Sequence, residues 1–96
     1  MDLGELTAAT FEPLVGDAFA VDGAPDELEL VLQSATVSGD WPGGRAPFNL
    51  MFCGPPEPIL PQAIYELAHA ELGTLGIFIV PVRRDADGVR YEAVFT

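Results

Sequence analysis

The sequence predicts an all-β fold: a small antiparallel barrel or sandwich of about six strands with a short N-terminal helix. Two patterns carry this prediction. From Tyr65 to Thr96 the chain alternates apolar and polar residues in three runs that short turns separate. Residues 27–37 alternate in the same way, with Leu28, Leu30 and Leu32 on one face. Period-two alternation is typical of half-buried antiparallel strands, because successive side chains point to opposite faces.

The first predicted element is a short helix from Leu6 to Gly16. A hydroxyl at Thr7 or Thr10 can accept the free N–H groups of a first helical turn. Pro13 is tolerated only near the start of a helix, because it lacks an N–H group. The sequence therefore predicts a helix of a few turns that leads into the first strand.

The predicted strands follow in order along the chain. They cover residues 17–21, 27–37, 48–53, 62–72, 74–82 and 89–96. Segment 62–72 also suits a helix, and we favour a strand because Gly73 turns it directly into the next one. Segment 74–82 is apolar on both faces, which predicts a strand that is central or covered by the helix. Asp85 to Gly88 is a predicted hairpin turn. An antiparallel meander of this size is expected to close, since closure removes exposed edges.

Length and composition indicate a single β-rich domain over residues 1–96, with 49% hydrophobic residues. The formal net charge is −11, with four arginines and no lysine. This charge excludes nucleic acid and disfavours an anionic membrane as a partner, because both bind through Lys and Arg. The acidic start predicts no signal peptide, and the apolar runs are too short to span a bilayer. The single cysteine, Cys53, has no internal disulfide partner. We expect a soluble, cytoplasmic protein.

No pattern of catalytic or metal-ligating residues stands out in the sequence. His69 is the only histidine, and the nearby acid Glu66 falls on the opposite strand face. Cys53 ends a strand before Gly-Pro-Pro, without the helix N-terminus that activates a thiol. A structural His69 and an inert Cys53 are therefore expected. We predict a protein that is not an enzyme and has no cofactor and no metal site.

Two segments are candidate binding surfaces. The loop SGDWPGGRAP carries Trp41 and Arg45, and Trp and Arg are enriched among interface hot spots. The segment GPPEPILP, with Pro56 and Pro58, is predicted to be a rigid extended connector. Proline-rich segments of this kind also serve as ligands for partner proteins. The predicted contact surface therefore combines Trp41, Arg45, Pro56 and Pro58.

Three stretches resemble a small, uncharacterised bacterial protein family that is known only as a domain of unknown function. They are ELTAATFEPLVGDAF, PFNLMFCGPPEPILPQ and YELAHAELGTLGIFIVPV with the later YEAVF. The resemblance covers nearly the whole chain, and the LGxxxIFxVPV and YEAVF ending is its most specific part. It implies a stand-alone β-rich domain, brings no catalytic residues, and suggests an accessory role near a phage-tail-like structure.

Three functions are consistent with these observations. The favoured one is a non-enzymatic protein-interaction or assembly module whose partner is another protein; the sequence also allows a homo-oligomer. The second is a small-molecule-binding barrel or minor enzyme, with His69 and Tyr65 facing into the barrel mouth. The third is an acidic inhibitor or immunity-like protein that neutralises a basic target.

Overall fold

The computed structural model describes residues 6–23, 28–37 and 47–95. A one-turn helix, α1, leads through a 3₁₀ turn into six antiparallel strands. The bounds are α1 Ala8–Phe11, the 3₁₀ turn Glu12–Leu14, β1 Ala18–Val21, β2 Glu29–Val37, β3 Phe48–Gly54, β4 Ala63–His69, β5 Gly73–Asp85 and β6 Gly88–Phe95. The predicted all-β class, strand number and N-terminal helix are confirmed.

The six strands close into a barrel in the order β1–β2–β3–β6–β5–β4. Two three-stranded units, β1–β2–β3 and β4–β5–β6, join edge to edge through the β3–β6 and β1–β4 pairs. The expectation of a simple meander is therefore wrong. Residues 55–62 carry the chain across the barrel from β3 to β4. This segment is not a strand, because its prolines cannot supply the N–H groups of a sheet ladder.

Inward-facing apolar side chains fill the barrel. Leu30 and Leu32 of β2 are fully buried, and β3 and β6 show the predicted alternation of buried and more exposed residues. Among the largest buried side chains are Phe19, Phe48, Phe52, Leu67, Ile77, Ile79 and Tyr91. Removal of these groups from water is the main force that stabilises a domain of this size.

The ambiguous segment 62–72 forms strand β4, as favoured from the sequence. Its inward residues are Leu67 and His69, which fits the predicted faces. Segment 74–82 is a central strand, since β5 pairs with both β4 and β6. Its outer face is not covered by the helix, because the outward side chain of Phe78 is 48% exposed. The helix packs against β2, on another part of the barrel.

Helix α1 is shorter than the predicted Leu6 to Gly16. Pro13 lies in the 3₁₀ turn that follows it, where its missing N–H removes a possible intrahelical bond. The ring of Phe11 lies 6.0 Å from that of Phe48 and 5.8 Å from that of Phe95. The helix therefore closes the end of the barrel at which β3 begins and β6 ends.

The proline-rich crossover covers the other end of β3. The side chain of Leu60 is 7% exposed, and its N–H donates a hydrogen bond to the Tyr91 hydroxyl over 2.9 Å. The Tyr65 hydroxyl donates to the carbonyl of Pro61 over 2.6 Å. Two tyrosines from different strands thus fix the crossover on the barrel.

Candidate functional site

Three large apolar side chains face outward on neighbouring strands of the β4–β5–β6 unit. Ile64 of β4 is the register partner of Phe78 of β5, and the two residues are 70% and 48% exposed. Val94 of β6 is 63% exposed. Cβ atoms of directly opposed residues lie about 4.5–5.5 Å apart, so Ile64 and Phe78 form one surface. We call these three residues the apolar patch.

The strand register places Val94 at the level of Phe78. Val80 pairs with Glu92, and Phe78 and Val94 each lie two residues beyond that pair, in the same direction along the barrel. Residues two apart on a strand share a face. The apolar patch therefore extends across three strands.

Local sequence explains why the apolar patch is open. Gly76 lies two residues before Phe78 on the same face of β5 and has no side chain to cover its neighbours. An added Cβ there would lie 3.5 Å from Ile64 Cγ2. Isoleucine, valine and phenylalanine favour strands, because branched and aromatic side chains fit a pleated surface. These residues therefore favour the strand conformation even though their side chains are exposed to solvent.

Acidic side chains flank the apolar patch. Glu66 is exposed and pairs across the ladder with Gly76, next to Ile64 on the outer face. Glu92 is half-buried and accepts a hydrogen bond from the Asn49 amide over 2.9 Å. An apolar centre with anionic flanks suits a partner surface of opposite charge.

His69, the only histidine, is held from both ring nitrogens. Its Nδ1 accepts the N–H groups of Glu71 at 3.0 Å and Leu72 at 3.4 Å. Its Nε2 lies 2.9 Å from Asp17 Oδ2. In the neutral ring the proton therefore resides on Nε2, which donates to Asp17. The ring centroid also lies 4.8 Å from that of Phe19, in the barrel wall.

Sequence reasoning missed the acid that pairs with His69. Alternation along the strand correctly placed Glu66 on the face opposite His69. Asp17, however, lies 52 residues before His69 and comes close to it only because β1 and β4 close the barrel. The arrangement joins β1 to the turn after β4. A role in structural support is consistent with both nitrogens being engaged.

Cys53 contacts a nearly buried arginine. Arg90 Nη1 lies 2.9 Å from Cys53 Sγ, and the Arg90 side chain is 11% exposed. Arg90 also pairs with Asp85 at 3.5 Å and Asp87 at 3.9 Å. Cys53 and His69 thus have different partners, and the structure does not bring them together as a nucleophile and base.

The predicted contact surface is only partly within the described residues. Trp41 and Arg45 lie outside them. Pro56 and Pro58 are exposed on the crossover, next to the outward side chain of Ile59, which is 48% exposed. Their use as a contact surface stays a prediction.

The barrel-mouth site predicted for His69 and Tyr65 does not coincide with the large groove found near β1. This groove of about 640 Å³ lies at the end of β1 and includes the acids Asp22 and Glu29. Neither His69 nor Tyr65 lines it, and Tyr65 is occupied with the crossover. Among the described residues, no group of three or more His, Cys, Asp or Glu side chains is placed to hold a metal ion.

Across the part of the chain that the structure describes, no helix has the length and apolar character needed to cross a membrane. A comparison with protein-family models matches residues 6–95 to the family Domain of unknown function (DUF6916). The comparisons with curated proteins and with solved structures give no match.

Proposed function

We propose that this chain, which belongs to the family Domain of unknown function (DUF6916), is a non-enzymatic protein-interaction module. The apolar patch carries the proposal: Ile64, Phe78 and Val94 are 70%, 48% and 63% exposed on adjoining strands. Contiguous exposed apolar residues with polar flanks mark interaction surfaces, because their exposure to water has no stabilising role in the isolated domain.

The partner is a protein that brings apolar side chains to the centre of the contact and basic side chains to its margin. Glu66 and Glu92 flank the patch, and the chain carries a net charge of −11. Opposite charge would steer association and fix orientation. A second copy of the chain would place like charges together, so a basic partner is favoured over a homo-oligomer.

The closed barrel supports a contact through side chains. In the described ladders every strand pairs on both sides with a neighbour over part of its length. Addition of a partner strand needs an open edge, whereas a patch on the outer face needs none. The sheet holds Ile64 and Phe78 in place, so little ordering of the backbone accompanies binding.

The proposed organism, location and biological process rest on the sequence alone. The resemblance carries the proposed bacterial origin and the accessory role near a phage-tail-like structure. The single cysteine is consistent with the proposed cytoplasmic location, because cytosolic proteins rarely use disulfides. Trp41, Arg45, Pro56 and Pro58 stay as proposed additional contacts.

The experiment compares three tagged baits in affinity capture from the native cell lysate: wild type, the Ile64→Ser, Phe78→Ser double variant and a control. The control carries Val31→Ser and Val37→Ser, which are 39% and 47% exposed on β2. In the ring order β2 is opposite β5. A stoichiometric protein that wild type and control retain, and the patch variant loses, supports the proposal. Equal retention by all three baits contradicts it.

An acidic inhibitor remains the second candidate, because the net charge of −11 alone could bind a basic target. Salt distinguishes the two functions. Affinity that depends mainly on charge falls steeply as ionic strength rises, since the Debye length shortens from about 10 Å at 0.1 M to 3 Å at 1 M. Affinity carried mainly by the apolar patch falls much less over this range, because salt screens only its charged margin.

A further inference from the structure

A second surface lies on the outer face of strands β2, β3, β6 and β5. It is a groove of about 280 Å³ lined by Gln33, Met51, Val82, Arg83 and Arg90; we call it the Arg83 groove. Its floor contains the apolar side chains of Met51 and Val82, and its polar groups are one amide and two guanidinium groups. None of its residues belongs to the apolar patch.

Irregularities in two different strands shape this groove. In the β2–β3 ladder the register shifts between Leu32 and Ser34, which leaves Gln33 as the extra residue. In the β5–β6 ladder it shifts between Pro81 and Arg83, which leaves Val82 as the extra residue. Both extra residues line the groove. Bulges re-aim side chains and are over-represented beside functional sites, and here two of them direct their extra residues to one groove.

Asp85 orients the guanidinium of Arg83, which keeps N–H donors available for a ligand. Its Nε lies 3.3 Å from Asp85 Oδ2, and its side chain is 66% exposed. An arginine has five N–H donors, so this contact leaves both terminal nitrogens for a ligand. A planar pair of such nitrogens matches a carboxylate, which it binds with two parallel hydrogen bonds.

Arg90 lines the groove with a guanidinium that its neighbours hold in place. Cys53 Sγ and the carboxylates of Asp85 and Asp87 surround its guanidinium. Asp85 thus contacts both arginines, which are register partners in the β5–β6 ladder. A preorganised cation costs little ordering when a ligand binds.

We propose that the Arg83 groove binds a small amphiphilic carboxylate, with the acid on Arg83 and a short alkyl chain over Met51 and Val82. Gln33 supplies a further hydrogen bond to the acid. The volume is close to the lower limit of roughly 300 Å³ for ligand pockets, so the ligand is a short-chain acid and not a cofactor-sized molecule.

Titrations followed by NMR test this proposal with defined probes. Hexanoate carries both the charge and the chain, hexan-1-ol carries only the chain, and inorganic phosphate carries only the charge. Hexanoate is expected to shift the Met51 methyl signal and the Arg83 side-chain signals to saturation. It should bind about ten-fold or more tightly than either other probe, since a charge-assisted pair and chain burial act together. Equal binding of hexanol, or no saturable shift at Met51, would overturn the proposal.

Arg83→Gln and Arg84→Gln form a matched pair of variants. Arg84 is the next residue, is 51% exposed and pairs with Glu57 at 3.5 Å, but it does not line the groove. We expect Arg83→Gln to weaken hexanoate at least about ten-fold, Arg83→Lys to weaken it less, and Arg84→Gln to leave it within about two-fold. Equal weakening by Arg83→Gln and Arg84→Gln would assign the effect to net charge and overturn the site.

Discussion

The N–H of Leu60 donates a hydrogen bond to the hydroxyl of Tyr91 over 2.9 Å, which joins the proline-rich crossover to the last strand. Tyr91 is fully buried. Its register partner in β3 is Phe52, inside the barrel. The Tyr91 hydroxyl is therefore the buried anchor of the crossover, which is the covalent connection between the two three-stranded units.

Tyr91→Phe tests this anchor. The substitution keeps the ring and removes the acceptor, so it leaves the Leu60 N–H without its partner. A buried unsatisfied donor costs about 1–3 kcal/mol, and we expect the free energy of unfolding in urea to fall by that amount. Tyr65→Phe, which removes the donor to Pro61, is the milder comparison, because Tyr65 is only partly buried. An unchanged unfolding midpoint for Tyr91→Phe would contradict the anchoring role.

Tyr91 also predicts a pH dependence of stability. Burial raises the pKa of its phenol above the ordinary value of 10.0, and the hydrogen bond from Leu60 opposes part of that rise. In the unfolded chain the phenol ionises near pH 10, while in the folded chain it stays neutral to higher pH. Stability from this group is therefore complete below pH 10 and is lost as the pH rises through the raised pKa. The decline, measured by urea unfolding from pH 8 to pH 11, should be smaller in Tyr91→Phe.

The β5–β6 turn depends on Gly88. Its φ is +138°, and an added Cβ would collide with the carbonyl oxygen of Gly54. We expect Gly88→Ala to lower the free energy of unfolding by at least about 2 kcal/mol, because strain and overpacking act together. Gly76→Ala is the control: its Cβ meets only Ile64 Cγ2 at 3.5 Å, and we expect a gain of about 0.5 kcal/mol through the unfolded state. Similar effects of the two substitutions would contradict this assignment.

The bond between His69 and Asp17 is expected to support the β1–β4 closure. Asp17→Ala should cost only about 1 kcal/mol, because the carboxylate is 50% exposed. His69→Ala should cost about 2–4 kcal/mol, since it also leaves a void beside Phe19 and removes the acceptor for Glu71 and Leu72. Nitrogen NMR of the neutral imidazole should show the proton on Nε2. A proton on Nδ1 would contradict the hydrogen-bond assignment.

Alternation along the chain predicted the strands and their buried faces, because side-chain direction within a strand is a local property. The order β1–β2–β3–β6–β5–β4 depends on which distant strands pair, and no local pattern records that choice. Segment 74–82 shows the difference. Its two apolar faces suggested a covered strand, whereas one of them carries Phe78 in solvent.

The candidate surfaces depend on the same non-local pairing. Alternation along each strand places Ile64 and Val94 on the outer face, but only the β4–β5–β6 pairing brings them next to Phe78. The register shifts that make Gln33 and Val82 extra residues arise from how two strands meet. Asp17 and His69 likewise meet only when the barrel closes. Alternation along a strand could therefore give the face of a residue such as Ile64 but not the assembly of any of these sites.

Site-specific photo-cross-linking tests the central claim most directly. A benzophenone amino acid replaces Phe78 in one bait and Val31, on the opposite strand β2, in the other. The two positions are 48% and 39% exposed, so their access to solvent is comparable. We predict that illumination in the native lysate yields one protein adduct from position 78, that position 31 gives none, and that the adducted partner presents basic residues. Equal adducts from both positions, or an adduct with a second copy of the chain, would contradict the account.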